Sequence, residues 1–426
     1  MNETLHLQNI VDLNKSLTKG EFTVSEVLLS CYDKINSDEK YVNAWQEIIP
    51  IKMQSIAKPY RDLSGLCIGI KDIISTIELE TGMGTDQTTW RGTKGGFDAR
   101  VVSKIKAAGA SIIGKNKTSE FAVHKPTNTL NPRNYKLIPG TSSSGSAAAV
   151  AAGHVSISIA SQTAGSIVRP SSYCGVIGFK PSFGEIPRTG ILKTTESFDT
   201  VGLIGNSVSN ISSVFNVARV QDLNHPLHLN RSSLSTNNIR FFHAIGPMFD
   251  TASISLRAST INLIKKIIGD LSILDFTEFS KIDFLKLRIA HYDIYAKELS
   301  YFLKRELISK NVSKGLKHFG DYGDTISNSA YRSDLDFLRL QRQKSDLELK
   351  NTFIFALSAS DQAPPVGSDD KYDSNLFWTS LGLPQISLPM LKSETGNPIG
   401  LSIIGNKGSD SRLLNFAKRI FPDMVE

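Results

Sequence analysis

Apolar positions along this chain gather in short runs separated by amphipathic stretches, a pattern that predicts an α/β protein. Residues 5–36 carry two helical patterns. The second opens with Thr23-Val24-Ser25-Glu26, a capping-box spacing just ahead of Val27, Leu28 and Leu29. Gly65–Ile70 reads as a short buried strand leading into a Lys71-Asp72 turn, followed by a helix over Asp98–Ala108 and a strand over Ala110–Lys115. A long Gly/Ser turn then enters a helix at Ser146–Gly153 built on alanine, the best helix former. The β-like run His154–Ala160 delivers the chain to a second turn at 161–166. The polar stretch 221–239 reads as a loop, and Ile239–Phe242 resumes as strand. Residues 252–268 and 284–350 look mainly helical, as a cap over a site would. Strands at Phe353–Ser358, Gln385–Leu388 and Pro398–Ile404 and a helix from Ser411 to Ile420 close the chain. Alternation of this kind argues for a largely parallel sheet covered on both faces. With no internal repeat, residues 1–426 are expected to form one domain with a helical excursion at about 220–350.

Composition narrows the class. Hydrophobic residues at 40% and charged residues at 21% suit a globular protein, and no apolar run is long enough to predict a membrane span. Met1-Asn2-Glu3-Thr4-Leu5-His6 lacks the layout of a secretory signal, and Cys31, Cys67 and Cys174 sit singly among apolar neighbours as reduced core residues. A cytoplasmic location is the expectation. The net charge is +7, yet lysine and arginine are scattered; Lys304-Arg305 and Arg339–Lys344 lie on apparent amphipathic helices. A solvated surface, with neither nucleic acid nor membrane as partner, is therefore expected. None of the eight histidines has metal-ligand spacing, so no metal is expected.

Three segments carry the chemistry. Gly140-Thr141-Ser142-Ser143-Ser144-Gly145-Ser146 and Gln162-Thr163-Ala164-Gly165-Ser166-Ile167-Val168-Arg169-Pro170 are serine-glycine turns, and Lys71 ends the strand upstream. A lysine and two such serines make a nucleophile system that needs no histidine. Serine requires a base to remove its proton, and lysine serves only when neutral, a state that burial favours. The 163–166 turn lets consecutive amides converge on one concavity, as an oxyanion requires. Taken singly, a Gly/Ser turn before an alanine helix is commonly a structural turn or an anion cradle, and a lysine at a strand end is commonly solvated.

Together, the Ile70-Lys71-Asp72 turn, the Gly140–Ala149 run and the stretch from Gln162 through Cys174-Gly175 to Lys180-Pro181-Ser182 resemble the amidase-signature family. The likeness extends to Gly114–Lys117 with Glu120-Phe121-Ala122, to Ser197–Gly202, and to Leu381–Pro389 and Pro398–Leu401. It implies a mixed twisted sheet sandwiched between helices, with a Ser–Ser–Lys triad at the strand ends. In that triad Ser166 is nucleophile, Ser142 is relay across a cis peptide with Thr141, and Lys71 is base. It also implies an oxyanion hole from the amides of Thr163, Ala164, Gly165 and Ser166, an acyl-enzyme, no cofactor, and a homodimer. Three features depart from the common pattern: Gln162 replaces a frequent Asp, Ala164 a frequent Gly, and Val168-Arg169 shifts an arginine by one place. This variant is similar to malonamidase-like members. Arg169 is then either a bidentate clamp for a substrate carboxylate or a structural ion pair. Gln162 and Ser143 are further candidate substrate contacts, with Ser143 alternatively bonded within the triad. Asp72 is expected to orient the lysine loop. The leading expectation is a hydrolase of small linear amides. A glutaminase subunit of a tRNA-dependent amidotransferase, working with protein partners, is the rival; a non-catalytic anion-binding module is a third reading.

Overall fold

A computed structural model describes residues 4–54, 61–85, 96–123, 125–220, 239–244, 246–269, 281–309, 311–370 and 374–423. Its strands are β1 Trp45–Ile48, β2 Cys67–Lys71, β3 Ser111–Asn116, β4 Ile157–Gln162 and β5 Ile177–Lys180, then β6 Thr200–Gly205, β7 Arg240–His243, β8 Thr352–Leu357, β9 Gln385–Lys392 and β10 Pro398–Gly405. They form one sheet in the order β1-β3-β2-β4-β6-β5-β9-β10-β8-β7. Pairing is parallel where β2 meets β3 and β4 and where β7 meets β8, and antiparallel elsewhere. The sheet is mixed, so the pattern-based expectation of a largely parallel one is corrected. The reason is visible at β9 and β10, which are joined as a hairpin through Ser393–Asn397; a connection this short enforces antiparallel pairing, whereas a parallel pair needs a crossover of a dozen or more residues.

The helices are α1 Ile10–Lys19, α2 Val24–Val42, α3 Arg100–Ala107, α4 Ser144–Ala151, α5 Val168–Cys174, α6 Val208–Ala218 and α7 Pro247–Asp250. The later ones are α8 Ile254–Ile268, α9 Phe284–Phe302, α10 Lys304–Leu307, α11 Lys314–Thr325, α12 Asn328–Glu348, α13 Asn375–Ser380 and α14 Asp410–Ile420. The capping box forms as read: Glu26 N donates to Thr23 Oγ1 at 3.3 Å, and the Glu26 carboxylate accepts Thr23 N at 2.7 Å. Cys31, Cys67 and Cys174 are buried free thiols.

Side chains on β8 show how both faces are covered. Phe353, Phe355 and Leu357 enter one core with Leu413 and Phe416 of α14. Ile354 and Ala356, pointing oppositely along the period-two strand, enter a second core with Leu287, Ile294 and Leu299 of α9 and Trp378 of α13. Fully burying each such Leu, Ile or Phe contributes about 1.5–3 kcal/mol. The second core fastens the late helices to the sheet. The predicted loop at 221–239 lies, except for Ile239, outside the described residues. Among the described residues no helix is long and apolar enough to cross a membrane.

Candidate active site

Because β2 and β4 run parallel and adjacent, their carboxyl ends share one edge of the sheet. Lys71 is the last residue of β2 and is fully buried. Its Nζ lies 2.7 Å from Ser142 Oγ, 3.0 Å from Ser143 Oγ and 3.0 Å from Ser161 Oγ, with the Ser161 carbonyl at 3.4 Å. Burial pushes the Lys71 amine down to about 7, opposed by the field of Asp199. Ser143 donates its own proton to the Ser161 carbonyl at 3.3 Å and so accepts from the lysine. A neutral amine has two N–H donors and one lone pair, which leaves Ser142 or Ser161 to donate into that lone pair.

Lys115 and Lys180 are equally buried, and burial lowers both. Lys115 donates to the Ile74 carbonyl and to Thr81 Oγ1, with Asp72 at 3.4 Å; Lys180 donates to the Pro181 and Leu383 carbonyls. The Lys180 carbonyls have no proton to surrender, and Lys115 meets a single hydroxyl beside a carbonyl and the Asp72 carboxylate. Of these three buried lysines, Lys71 is the one surrounded by hydroxyls. Asp72 accepts from Gly82 N through both oxygens at 3.1 Å, and thereby shapes the loop after β2.

The turn carrying Ser142 is tightly built. Gly140 has φ +90°, and a Cβ there would come within 3.0 Å of Tyr173 and 3.1 Å of the Pro170 backbone. The Thr141–Ser142 peptide is cis, as the family resemblance implies. Asp370 accepts Thr141 N at 2.7 Å, Thr141 Oγ1 at 2.8 Å and Arg169 Nε at 2.9 Å on a single carboxylate oxygen. Arg169 also donates to the Thr141 carbonyl at 3.1 Å. This is the ion-pair arrangement of Arg169: the guanidinium, 2% exposed, is spent on the turn beneath Ser142. Arg169→Ala strands a buried carboxylate, and we expect it to destabilise the fold by about 3–5 kcal/mol. Chemical unfolding measures this, and an unchanged midpoint would contradict it.

The second turn links β4 to α5. Gln162 is fully buried; its carbonyl oxygen accepts Ile167 N at 2.8 Å and Val168 N at 3.1 Å, and its amide donates to Thr379 Oγ1 at 3.0 Å. The first two bonds satisfy amides at the start of α5, which a carboxylate also does; the third needs a donor that Asp lacks. Gln162 is thus engaged with the protein itself. Thr163 Oγ1 donates to Asp199 at 2.7 Å, and Asp199 also accepts from the backbone and hydroxyls of Thr194 and Thr195. Ser166 is half-buried, unlike Ser142 at 2% and Ser143 at 0% exposure. Among the described residues its hydroxyl makes no hydrogen bond, so the Lys71–Ser142 link is closed and the Ser142–Ser166 link is open. Catalytic hydrogen bonds are frequently loose before substrate arrives.

A cavity of about 900 Å³ reaches the second turn at Ala164. Its walls include His291 and Tyr295 of α9, Phe319 and Tyr322 of α11, and Asp370. The helical cap anticipated over 284–350 therefore supplies much of the chamber. Sequence reading assigned no role to Ser161, Asp199, His291, Asp370 or Thr379. Ser161 immediately precedes Gln162 and Asp199 lies inside a quoted segment, so both were within reach. The other three come from distant segments with no local pattern to mark them.

A hydroxyl cluster around a buried lysine at the carboxyl edge of a mixed α/β sheet fits the class of carbon–nitrogen hydrolases. Residues 26–344 match the Amidase family model, and the chain belongs to that family. It is 27% identical to a glutamyl-tRNA(Gln) amidotransferase subunit of Sulfolobus acidocaldarius, over 96% of this chain and 97% of the relative. A protein of the same name from Lactobacillus johnsonii is 35% identical, over 49% of this chain and 45% of the relative. Among solved structures, the same-named protein of Thermotoga maritima superposes with a TM-score of 0.80 at 22% identity, covering 98% of this chain and 94% of that one. The Sulfolobus and Lactobacillus relatives overturn the expectation of no nucleic-acid partner: they are named as a component of an amidotransferase, and that name specifies a charged tRNA.

Proposed function

We propose that this chain is the glutaminase subunit of a tRNA-dependent amidotransferase, hydrolysing the side-chain amide of glutamine through a Ser166 acyl-enzyme. The observation that carries the assignment is the near full-length alignment with a named component of that kind. The chemistry follows from the hydroxyl cluster around an amine held near neutrality. Ser166 Oγ bonds to the amide carbon while its proton passes to Ser142, whose own proton passes to Lys71 Nζ. The carbonyl oxygen becomes an oxyanion facing the amides of the 163–166 turn. As the C–N bond breaks, the proton returns from Lys71 through Ser142 to the departing ammonia. Water then attacks the acyl-enzyme by the same relay, giving glutamate and free Ser166.

A second reading, an amide hydrolase working alone, is favoured by the cavity: about 900 Å³ with aromatic walls is larger than a glutamine side chain needs. Ammonia release from L-glutamine decides between them, measured for the chain alone and with the other amidotransferase subunits of its host. A rise of tenfold or more on adding the subunits is expected. Hydrolysis of bulky aryl amides by the chain alone, with no response to added subunits, would replace the first reading by the second.

A further inference from the structure

The amides proposed as an oxyanion hole belong to a turn, and a turn does not by itself hold its peptide planes in one orientation. In a trans peptide the carbonyl of one residue and the N–H of the next point in opposite directions. Whatever grips the carbonyl therefore aims the following amide. Three consecutive carbonyls in this turn are gripped. His291 Nε2 donates to the Thr163 carbonyl at 3.0 Å. Thr379 Oγ1 donates to the Ala164 carbonyl at 2.7 Å. Arg169 N, in the first turn of α5, donates to the Gly165 carbonyl at 3.0 Å. The amides aimed the other way are those of Ala164, Gly165 and Ser166, and among the described residues none of the three has a partner.

We propose that His291 and Thr379 are positioning residues for the oxyanion hole, each fixing one peptide plane from behind so that the amides of Ala164 and Gly165 face the reacting carbonyl. The proposal rests on the assignment of Ser166 as nucleophile. His291 comes from α9, in the helical excursion, and Thr379 from α13, so two elements outside the serine-glycine segments set the geometry within them.

Each brace is itself held. His291 stacks on Phe198 with ring centroids 4.4 Å apart. Glu298, two turns further along α9, accepts Glu196 N at 2.8 Å, Ser197 N at 3.0 Å and Ser197 Oγ at 2.6 Å, which fastens the helix to the loop carrying Phe198 and Asp199. A carbonyl only accepts, so the imidazole proton resides on Nε2. Burial keeps the ring neutral by lowering it to about 4, and the ring thus grips the carbonyl without bringing a cation to the turn. Thr379 is oriented in turn by the Gln162 amide at 3.0 Å. The Gln162 departure from the family pattern thereby acquires a purpose: it supplies the donor that holds Thr379.

The test uses a fluorophosphonate probe on the full chain. Labelling joins Ser166 Oγ to phosphorus, expels fluoride, sends the serine proton into the Ser142–Lys71 relay, and places a phosphoryl oxygen where the oxyanion develops. Its second-order rate therefore reads the hole directly. Losing an oxyanion donor outright slows a reaction by about 10²–10³-fold, and a misaimed amide falls short of that. His291→Phe and Thr379→Val, which fill the same space without donating, are expected to slow labelling about 10- to 100-fold. His291→Gln and Thr379→Ser, which keep a donor, are expected to restore it to within about threefold of the parent; a role in packing alone predicts no such rescue. Thermal unfolding confirms that each variant is folded, and the Thr379 pair carries the test if a His291 variant is not. Parent-like rates in His291→Phe and Thr379→Val, or no rescue by the donor-bearing variants, overturn the proposal while leaving the nucleophile in place. Equal labelling of parent and Ser166→Ala, or none in the parent, overturns the nucleophile assignment and the brace together.

Discussion

Ser166→Ala is expected to abolish fluorophosphonate labelling and to lower amide turnover on the order of 10⁵–10⁶-fold. The attacking oxygen has no substitute. Ser142 and Ser143 are nearly or fully buried and already bonded to Lys71, and only Ser166 among these three keeps solvent access. Ser143→Ala is the control. Ser143 gives its proton to the Ser161 carbonyl and takes one from Lys71, so its loss disturbs the orientation of the amine without removing the relay. Labelling should persist in Ser143→Ala. If the Ser166→Ala protein were labelled at the parent rate, the nucleophile would lie elsewhere. Mass spectrometry of the labelled peptide reads the outcome.

Lys71→Met is the second large effect. Methionine fills the buried channel but neither accepts nor returns a proton, and loss of a general base lowers turnover by about 10²–10⁴-fold. In the parent, burial places the Lys71 pKa at about 7, so kcat/KM should rise tenfold per pH unit up to that point and level off above it. An acid limb at pH 4–5, or one that survives in Lys71→Met, would rule Lys71 out as the base.

The same pKa has a consequence for stability, with a defined sign. The unfolded lysine titrates near its ordinary value of 10.5 and the folded one near 7. Between those values the unfolded chain binds more protons, so this residue makes stability rise with pH across that window. Below about pH 7 both forms carry the proton, and the burden of burying an ammonium is at its fullest. Lys71→Met should therefore gain most over the parent at or below pH 7, with the difference closing toward pH 10.5. Urea titrations at several pH values would show it.

The local elements were legible where side-chain patterning is strong. The Thr23/Glu26 cap, the alanine helix and the strand ending at Lys71 all depend on neighbours in sequence, and all form within a few residues of the positions read. Strand direction was not legible. β5 and β6 are short, buried along their whole length and rich in glycine, so they lack the alternation that marks a strand with one solvated face. Without them patterning alone missed the antiparallel centre of the sheet, and the mixed sheet followed only from the family resemblance. The site divides in the same way. Lys71, Ser142 and Ser143 occupy one cluster, while Ser166, expected as the third member of the triad, begins the segment leading into α5 and is not hydrogen-bonded to that cluster. Asp370, His291 and Thr379 act through bonds spanning more than a hundred residues, and no window of sequence displays them. Arg169 shows why the sequence left two readings open here: a guanidinium suits a substrate carboxylate and a structural one equally well, and the fold supplies Asp370 as an ion-pair partner.

The chamber and the reacting groups have separate foundations. Lys71 is anchored in the sheet, while the aromatic lining is carried by α9 and α11. Such a division lets natural or laboratory evolution exchange the lining for another substrate while the nucleophile stays put, with one exception. The helix that offers Tyr292 and Tyr295 to the chamber also holds the Thr163 carbonyl through His291. Grafting a foreign helix here without a donor at position 291 would yield a protein that binds its new ligand well and turns it over slowly.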